Sequence, residues 1–368
     1  MKHLFVDISS HGYGHFAQTA PVLNALMANR PLRLTIRSGL PQTQLARRLH
    51  HPFTHIHEAT DFGFIMQDAL NVDLAASAER YRSAYADWPQ RVSDEAQMLT
   101  ALQPDLVLSN VSPLPLAGAA KAGIPALAMC SLNWADLFQH YYAGQAWAEP
   151  IHTAMLAAYG SANAFLRFTP GMDMPALENL QPISPVSLYT DQPARTTRQQ
   201  AVRALKLPLD KRWLLIALGG IAHRLPVEDW PELPDTQFLV PAGWQVNARA
   251  HITPYNEAQL PFAELLPLAD IVLSKPGYGT FVEAACCGLP VLYLQRGDWP
   301  EAACLESWLY QHARAAVLPP AAATSGELNP TLTSLLEQSV PPKPVADGAT
   351  QALHVINGLL DEGGRMKT

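Results

Sequence analysis

The chain has 368 residues and a formal charge of −7, from 32 Asp and Glu against 25 Lys and Arg. That balance argues against a general nucleic-acid binder, whose affinity rests on neutralising phosphates with basic side chains. Apolar residues make up 48% and charged residues 15%, which excludes a disordered chain and allows two domains, each with its own core.

The first apolar run, 3–8, contains Asp7 and is followed by no cleavage pattern, so no secretory signal is read here and a cytoplasmic location is expected. This run predicts a strand, the loop Ser9-Ser-His-Gly-Tyr-Gly-His15 follows it, and a helix is expected over 16–29. Further runs lie at 32–37, 105–109, 124–130 and 162–168. Several are apolar on both faces, as the strands of a helix-covered parallel sheet must be. Arg47 and Arg48 read as a solvated helix face. His50, His51, His55 and His57 lack a matching carboxylate or cysteine pattern and read as a surface cluster, so no metal site is expected. The apolar region 114–132 is broken by Lys121, two glycines and two prolines, which gives a helix, a turn and a strand, not a membrane span. The four cysteines, Cys130, Cys286, Cys287 and Cys304, show no CxxC spacing and are expected to be buried free thiols in a reducing compartment.

The segment 169–198 carries prolines at 170, 175, 182, 185 and 193 and predicts an inter-domain connection. The strand–helix rhythm then restarts, with runs at 213–218, 237–241, 270–274 and 290–295. A second proline-punctuated stretch, 318–344, precedes a final helix from about 346 to 360. The expectation is an α/β protein of two Rossmann-like, doubly wound domains facing across a cleft: 1–190, 191–345, and a terminal segment 346–368 whose helix packs back on the first domain.

In such sheets ligands bind at the carboxyl ends of the strands. After the run 270–274 comes Lys275-Pro-Gly-Tyr-Gly-Thr280, opening a helix. Gly277 and Gly279 permit close backbone approach, and the free N–H groups and dipole of a helix start favour a phosphate, with Lys275 beside it. Glu283, one turn on, suits ribose hydroxyls. A glycine-bearing turn with an acid in the first helical turn explains the same residues structurally. Gly219-Gly220, after the run 213–218, is a second candidate phosphate loop or a simple turn. In the opening loop, Gly12 and Gly14 lack the Lys-Ser/Thr of a Walker loop. His15 either acts as a general base at the strand's carboxyl end or bonds backbone at the helix start.

These stretches together resemble the GT-B glycosyltransferases. The features are the two-domain order, the glycine–histidine loop, and the Gly-x-Gly-Thr-x-x-Glu-Ala…Gly-x-Pro block at 277–290. The likeness is nearest to the glycosyltransferase-like amino-terminal half of plant L-arabinokinase. The stretches similar to it are His11–His15, Asp68–Asp73, Pro104–Asn110, Asn133-Trp134 and Lys275–Thr280 with Glu283. The likeness carries no expectation of sugar phosphorylation.

The resemblance implies a UDP-sugar as co-substrate in the second domain, with no other cofactor and no metal. Gly219, Gly220, Lys275, Gly277, Tyr278, Gly279 and Thr280 would serve the diphosphate, Glu283 the ribose, and Asp298 and Glu301 the donor sugar. It makes His15 the base. The carboxylate that orients this base in many members is replaced here by Asn110, which supplies no charge to stabilise imidazolium. Gln18 stands where closer relatives carry Arg. His11, Gly12, Gly14, Asp61, Asp68, Asn133 and Trp134 are the candidate contacts to a small-molecule or glycan acceptor. The activity implied is metal-independent glycosyl transfer to a hydroxyl. The alternatives are a nucleotide-sugar binder without catalysis and a UDP-sugar 2-epimerase-like enzyme.

Overall fold

The computed structural model describes residues 1–189, 196–221, 223–247 and 249–365. The sequence division at 190/191 falls outside these residues, as do the last three positions of the terminal segment.

Among the described residues thirteen strands form two parallel sheets. The first contains β1 (Lys2–Ile8), β2 (Leu32–Ser38), β3 (Thr54–His57), β4 (Leu106–Asn110), β5 (Ala126–Cys130), β6 (Ala164–Phe168) and β7 (Leu180–Ile183), in the order β3-β2-β1-β4-β5-β6-β7. The second contains β8 (Arg212–Ala217), β9 (Thr236–Pro241), β10 (Ile252–Tyr255), β11 (Ile271–Ser274), β12 (Val291–Leu294) and β13 (Ala315–Leu318), in the order β10-β9-β8-β11-β12-β13. In each sheet the order reverses beside the first strand. That reversal leaves a crevice at the strands' carboxyl ends.

The central strands are buried on both faces. Leu106–Asn110, Ala126–Cys130 and Ile271–Ser274 are buried at every position, because helices cover each side of the sheet. Among the described residues no helix is long and apolar enough to cross a membrane. All four cysteines are free; Cys130 is buried and the other three are half-buried.

Three local features add detail to these expectations. The proline-rich connection 169–198 is not irregular throughout, since it contributes β7 to the sheet edge, where Pro182 is tolerated. The stretch 318–344 holds two short helices, Pro320–Ser325 and Asn329–Glu337. Part of the histidine cluster is ordered into β3, with His55 Nε2 donating to the Ser38 carbonyl at 3.2 Å.

The terminal helix Gly348–Arg365 lies against the helix Gly14–Asn29 of the first sheet. The Asn357 side chain donates to Asn29 at 3.1 Å, and Arg30 pairs with Asp361 at 2.9 Å. Its apolar residues Ala352, Ile356 and Leu360 are fully buried at i, i+4, i+8 spacing.

Candidate functional site

The carboxyl ends of the two sheets meet at a cavity of about 540 Å³ lined from both sides. One wall is the β1 loop with the first turn of the helix Gly14–Asn29. The other is formed by the loops after β8, β11 and β12.

His15 enters from the first turn of its helix and is buried. Its Nδ1 lies 2.9 Å from Asn110 Oδ1. The amide orientation of Asn110 follows from its surroundings, because its Nδ2 faces only acceptors: the His15 carbonyl, Gln18 Oε1 and Thr19 Oγ1. Thr19 spends its own proton on the His15 carbonyl at 2.8 Å. Oδ1 therefore faces the ring, His15 Nδ1 carries the proton, and Nε2 keeps its lone pair. Burial lowers the His15 pKa to about 4, and the bond to Asn110 only partly opposes this. The imidazole is neutral at physiological pH and has the tautomer a base at Nε2 requires.

The bonding continues across the cleft. Gln18 Nε2 donates to Ser131 Oγ at 2.7 Å, and Ser131 donates to Glu301 Oε1 at 2.5 Å. Glu301, on the helix Pro300–His312, also accepts from Trp299 Nε1 at 3.2 Å. This chain explains why Gln rather than a cation suits position 18: it donates to Ser131 and accepts from Asn110 at once.

On the opposite wall the helix Tyr278–Cys287 starts at the cavity, with Gly277 as an N-cap that offers no side chain to its free N–H groups. Lys275 and Arg296 stand nearby. Burial first, then the Arg296 charge, brings Lys275 down to about 7, and burial brings Arg296 down to about 10. Arg296 lies over the Trp299 ring at 3.6 Å, and its Nε is buried without a partner among the described residues. Two cations with a helix start and Glu301 as the nearby acid make a site suited to an anion. Gly219 follows β8 at φ +85°, and Gly220 lies so close to the Tyr13 ring that a Cβ would stand 2.8 Å from it.

The structure brings His11, Gly12, Gly14, His15, Gly219, Gly220, Lys275 and Gly277 to one cavity, with Thr280, Glu283 and Glu301. Other expected residues are placed differently. Tyr278, like Gly279, still lines the cavity, but its hydroxyl points elsewhere, donating to the Thr169 carbonyl at 3.1 Å and accepting from Val186 N at 2.9 Å. Asp298 lies outside the cavity, because His140 draws it onto the helix Trp134–Tyr142 at 2.6 Å. Asn133 is buried as that helix's N-cap, accepting from Asp136 N at 2.8 Å. Asp68 closes its own turn by accepting from Leu70 N and Asn71 N. Asp61 and Trp134 bond each other at 2.7 Å and line a separate cavity.

Two residues were missed. Arg48, expected on a solvated face, is drawn into the cleft by Glu283. Arg296 carries no motif; its position just after the buried strand β12 was the available signal.

Among the described residues no group of three or more His, Cys, Asp or Glu side chains is placed to hold a metal ion.

No protein-family model matches the chain. It is 23% identical to L-arabinokinase of Arabidopsis thaliana over 98% of this chain but 34% of that protein, so it spans about a third of its length. Among solved structures it is similar to MnaA of S. aureus, solved with UDP, at a TM-score of 0.62 and 12% identity, covering 98% of this chain and 97% of that one. It is similar to the glycotransferase of kitacinnamycin at 0.59 and 15%, covering 98% and 95%. The UDP-GlcNAc 2-epimerase of Methanocaldococcus jannaschii follows at 0.57 and 9%, covering 97% and 99%. Two parallel sheets with a shared cavity at their carboxyl ends, matched along nearly the whole chain, place the protein in the GT-B fold of the glycosyltransferases.

Proposed function

We propose that the protein is a glycosyltransferase that takes a UDP-sugar in the cavity between its sheets and passes the sugar to a hydroxyl-bearing acceptor. The observation that carries this reading is the arrangement of the two walls. An uncapped helix start with Lys275 and Arg296 faces an imidazole whose Nε2 is free.

The diphosphate sits against the N–H groups at 277–280, with Lys275 and Arg296 meeting the charge that grows on departing UDP. Glu283 takes the ribose hydroxyls. His15 Nε2 accepts the acceptor's proton as its oxygen attacks the anomeric carbon, and Asn110 holds the ring in the tautomer for that role. Residues of both lobes line the cavity, which limits the water available to hydrolyse the donor.

The likeness to MnaA and to the archaeal 2-epimerase supports a second reading, epimerisation of the donor sugar in the same cavity. Titration with UDP and a panel of UDP-sugars tests nucleotide binding, and lack of any binding removes both readings. Product analysis then separates them: a free 2-epimer without an acceptor marks the epimerase, and acceptor-dependent UDP release marks the transferase. His15→Ala is expected to abolish transfer and keep UDP affinity.

A further inference from the structure

A second cavity, of about 320 Å³, opens within the first lobe and shares no lining residue with the first. The partition between them includes Asp61, whose two carboxyl oxygens accept from Ser9 Oγ at 2.8 Å and from Trp134 Nε1 at 2.7 Å. The Trp134 ring also meets His11 and His15, at centroid distances of 5.3 and 5.4 Å.

Ser112 lines this cavity immediately before the helix Pro113–Ala122. A serine there ordinarily accepts a hydrogen bond from the second or third residue of the helix. The third residue is Pro115, which has no N–H, and the Ser112 side chain makes no cap bond. Its hydroxyl is buried and has no partner among the described residues. Leaving a buried hydroxyl unpaired is costly, and a ligand oxygen in the cavity removes that cost.

The remaining lining suits a ring with an apolar face and a polar edge. Tyr85 and Trp88 stack at 4.5 Å, and Tyr81 and Trp134 supply further aromatic surface. Burial, with Asp7 nearby, raises the Asp61 pKa to about 7, so this carboxyl donates or accepts a hydrogen bond near neutral pH. Arg91 stands at the wall, with its guanidinium donating to the Ala84 carbonyl at 2.8 Å. Aromatic rings beside convergent polar groups, here with Arg80 and Arg91 also at the wall, are a common make-up of a small-molecule site.

We propose that this second cavity binds a neutral polyhydroxylated ring, a free sugar or cyclitol of monosaccharide size, whose hydroxyls pair with Ser112 and Asp61 while its C–H face lies on the aromatic wall. The proposal is independent of what the first cavity holds.

The test is saturation-transfer NMR on the full chain with free hexoses, pentoses and myo-inositol, run beside titration with UDP. At least one neutral ring is expected to bind, with affinity reduced at least tenfold in Ser112→Ala and in Trp88→Ala. UDP affinity and the melting temperature are expected to stay near the parent's in Ser112→Ala, so loss of ring binding there is not loss of fold. Failure of every neutral ring to bind overturns the proposal, as does undiminished binding in Ser112→Ala. Binding confined to phosphorylated or carboxylated sugars overturns the assigned class. Absence of UDP binding alone counts against the donor reading and leaves this one standing.

Discussion

Arg48 and Glu283 join the two lobes through a bidentate pair, with guanidinium nitrogens 2.7 and 3.0 Å from the two carboxylate oxygens. The arginine follows the short helix Gln42–Leu45 of the first lobe, and the glutamate lies on Tyr278–Cys287 of the second. Both side chains are largely buried, at 15% and 2% exposure. The pair holds Glu283 in a fixed plane, and each oxygen keeps a second lone pair for a ribose hydroxyl. On this reading the donor site is built by both lobes, with Arg48 as the positioning residue.

Removing one partner of a buried pair leaves the other charge uncompensated, at a cost of about 3–5 kcal/mol. Arg48→Ala is therefore expected to lose about that much stability in urea unfolding and to weaken UDP binding. The double variant Arg48→Ala/Glu283→Gln should recover part of the stability but none of the affinity. Full UDP affinity in Glu283→Gln would remove the glutamate from the ribose site.

Lys275 sits near 7 because burial and the Arg296 charge both oppose its protonation. A bound diphosphate favours the charged ammonium, so UDP binding should take up a proton at pH 7–9 and weaken as pH rises past 7. Calorimetry in buffers of different ionisation enthalpy reads this uptake directly. In Lys275→Met the uptake should vanish and affinity should fall at least tenfold.

His15, held down to about 4 by burial, is neutral over most of the working range. If it is the base, the acid limb of the kcat/KM profile should lie near pH 4 and not near the 6.5 of an ordinary imidazole. Asn110→Asp places a carboxylate against Nδ1, stabilises imidazolium, and should move that limb to higher pH. A limb that does not respond to Asn110→Asp would separate His15 from proton transfer.

Stability should carry the sign of Asp61. Its folded pKa of about 7 lies above the 3.8 of an ordinary aspartate, so the folded chain binds the extra proton between them. That contribution is present below pH 3.8 and is lost as pH rises to 7. Urea unfolding at pH 5 and pH 8 should therefore show Asp61→Asn gaining on the parent at the higher pH. His11 and His15 act oppositely, since burial lowers them to about 3 and about 4 and their unfolded forms protonate first as pH falls from 6.5.

A Cβ added at Gly279 would stand 2.9 Å from the Ala17 Cβ of the opposite lobe. Overpacking of this kind costs about 1–3 kcal/mol. Gly279→Val is expected to force the helices Tyr278–Cys287 and Gly14–Asn29 apart, lowering both the melting temperature and transfer activity. Gly277→Ala, whose nearest neighbour would be the Lys275 carbonyl at 3.8 Å, should be milder.

The strands most legible in the sequence were those buried on both faces. The run at 105–109 became β4 and that at 270–274 became β11, because a central parallel strand needs continuous apolar residues. The edge strands β7, β10 and β13 were not read, since an edge strand is covered less completely and loses that pattern. Leu180-Gln-Pro-Ile183 looks like a loop until a neighbour supplies the ladder. Of the site, the glycine loops were visible because close backbone approach restricts residue type.

Local chemistry in the sequence by itself determined two rounds of strand, glycine loop and helix, and therefore two parallel sheets with ligand-ready carboxyl ends. It also placed a histidine and an amide at the ends of two strands that turned out to be neighbours, β1 and β4. Tertiary structure alone decided how side chains far apart in the chain share their partners. Glu283 meets Arg48 235 positions away, and Ser131 meets Glu301 across 170. The same packing took Asp298 out of the cavity and left the Ser112 hydroxyl without a partner among the described residues. Periodicity and spacing report on a residue's own element, whereas hydrogen bonding and burial depend on what another element brings to it.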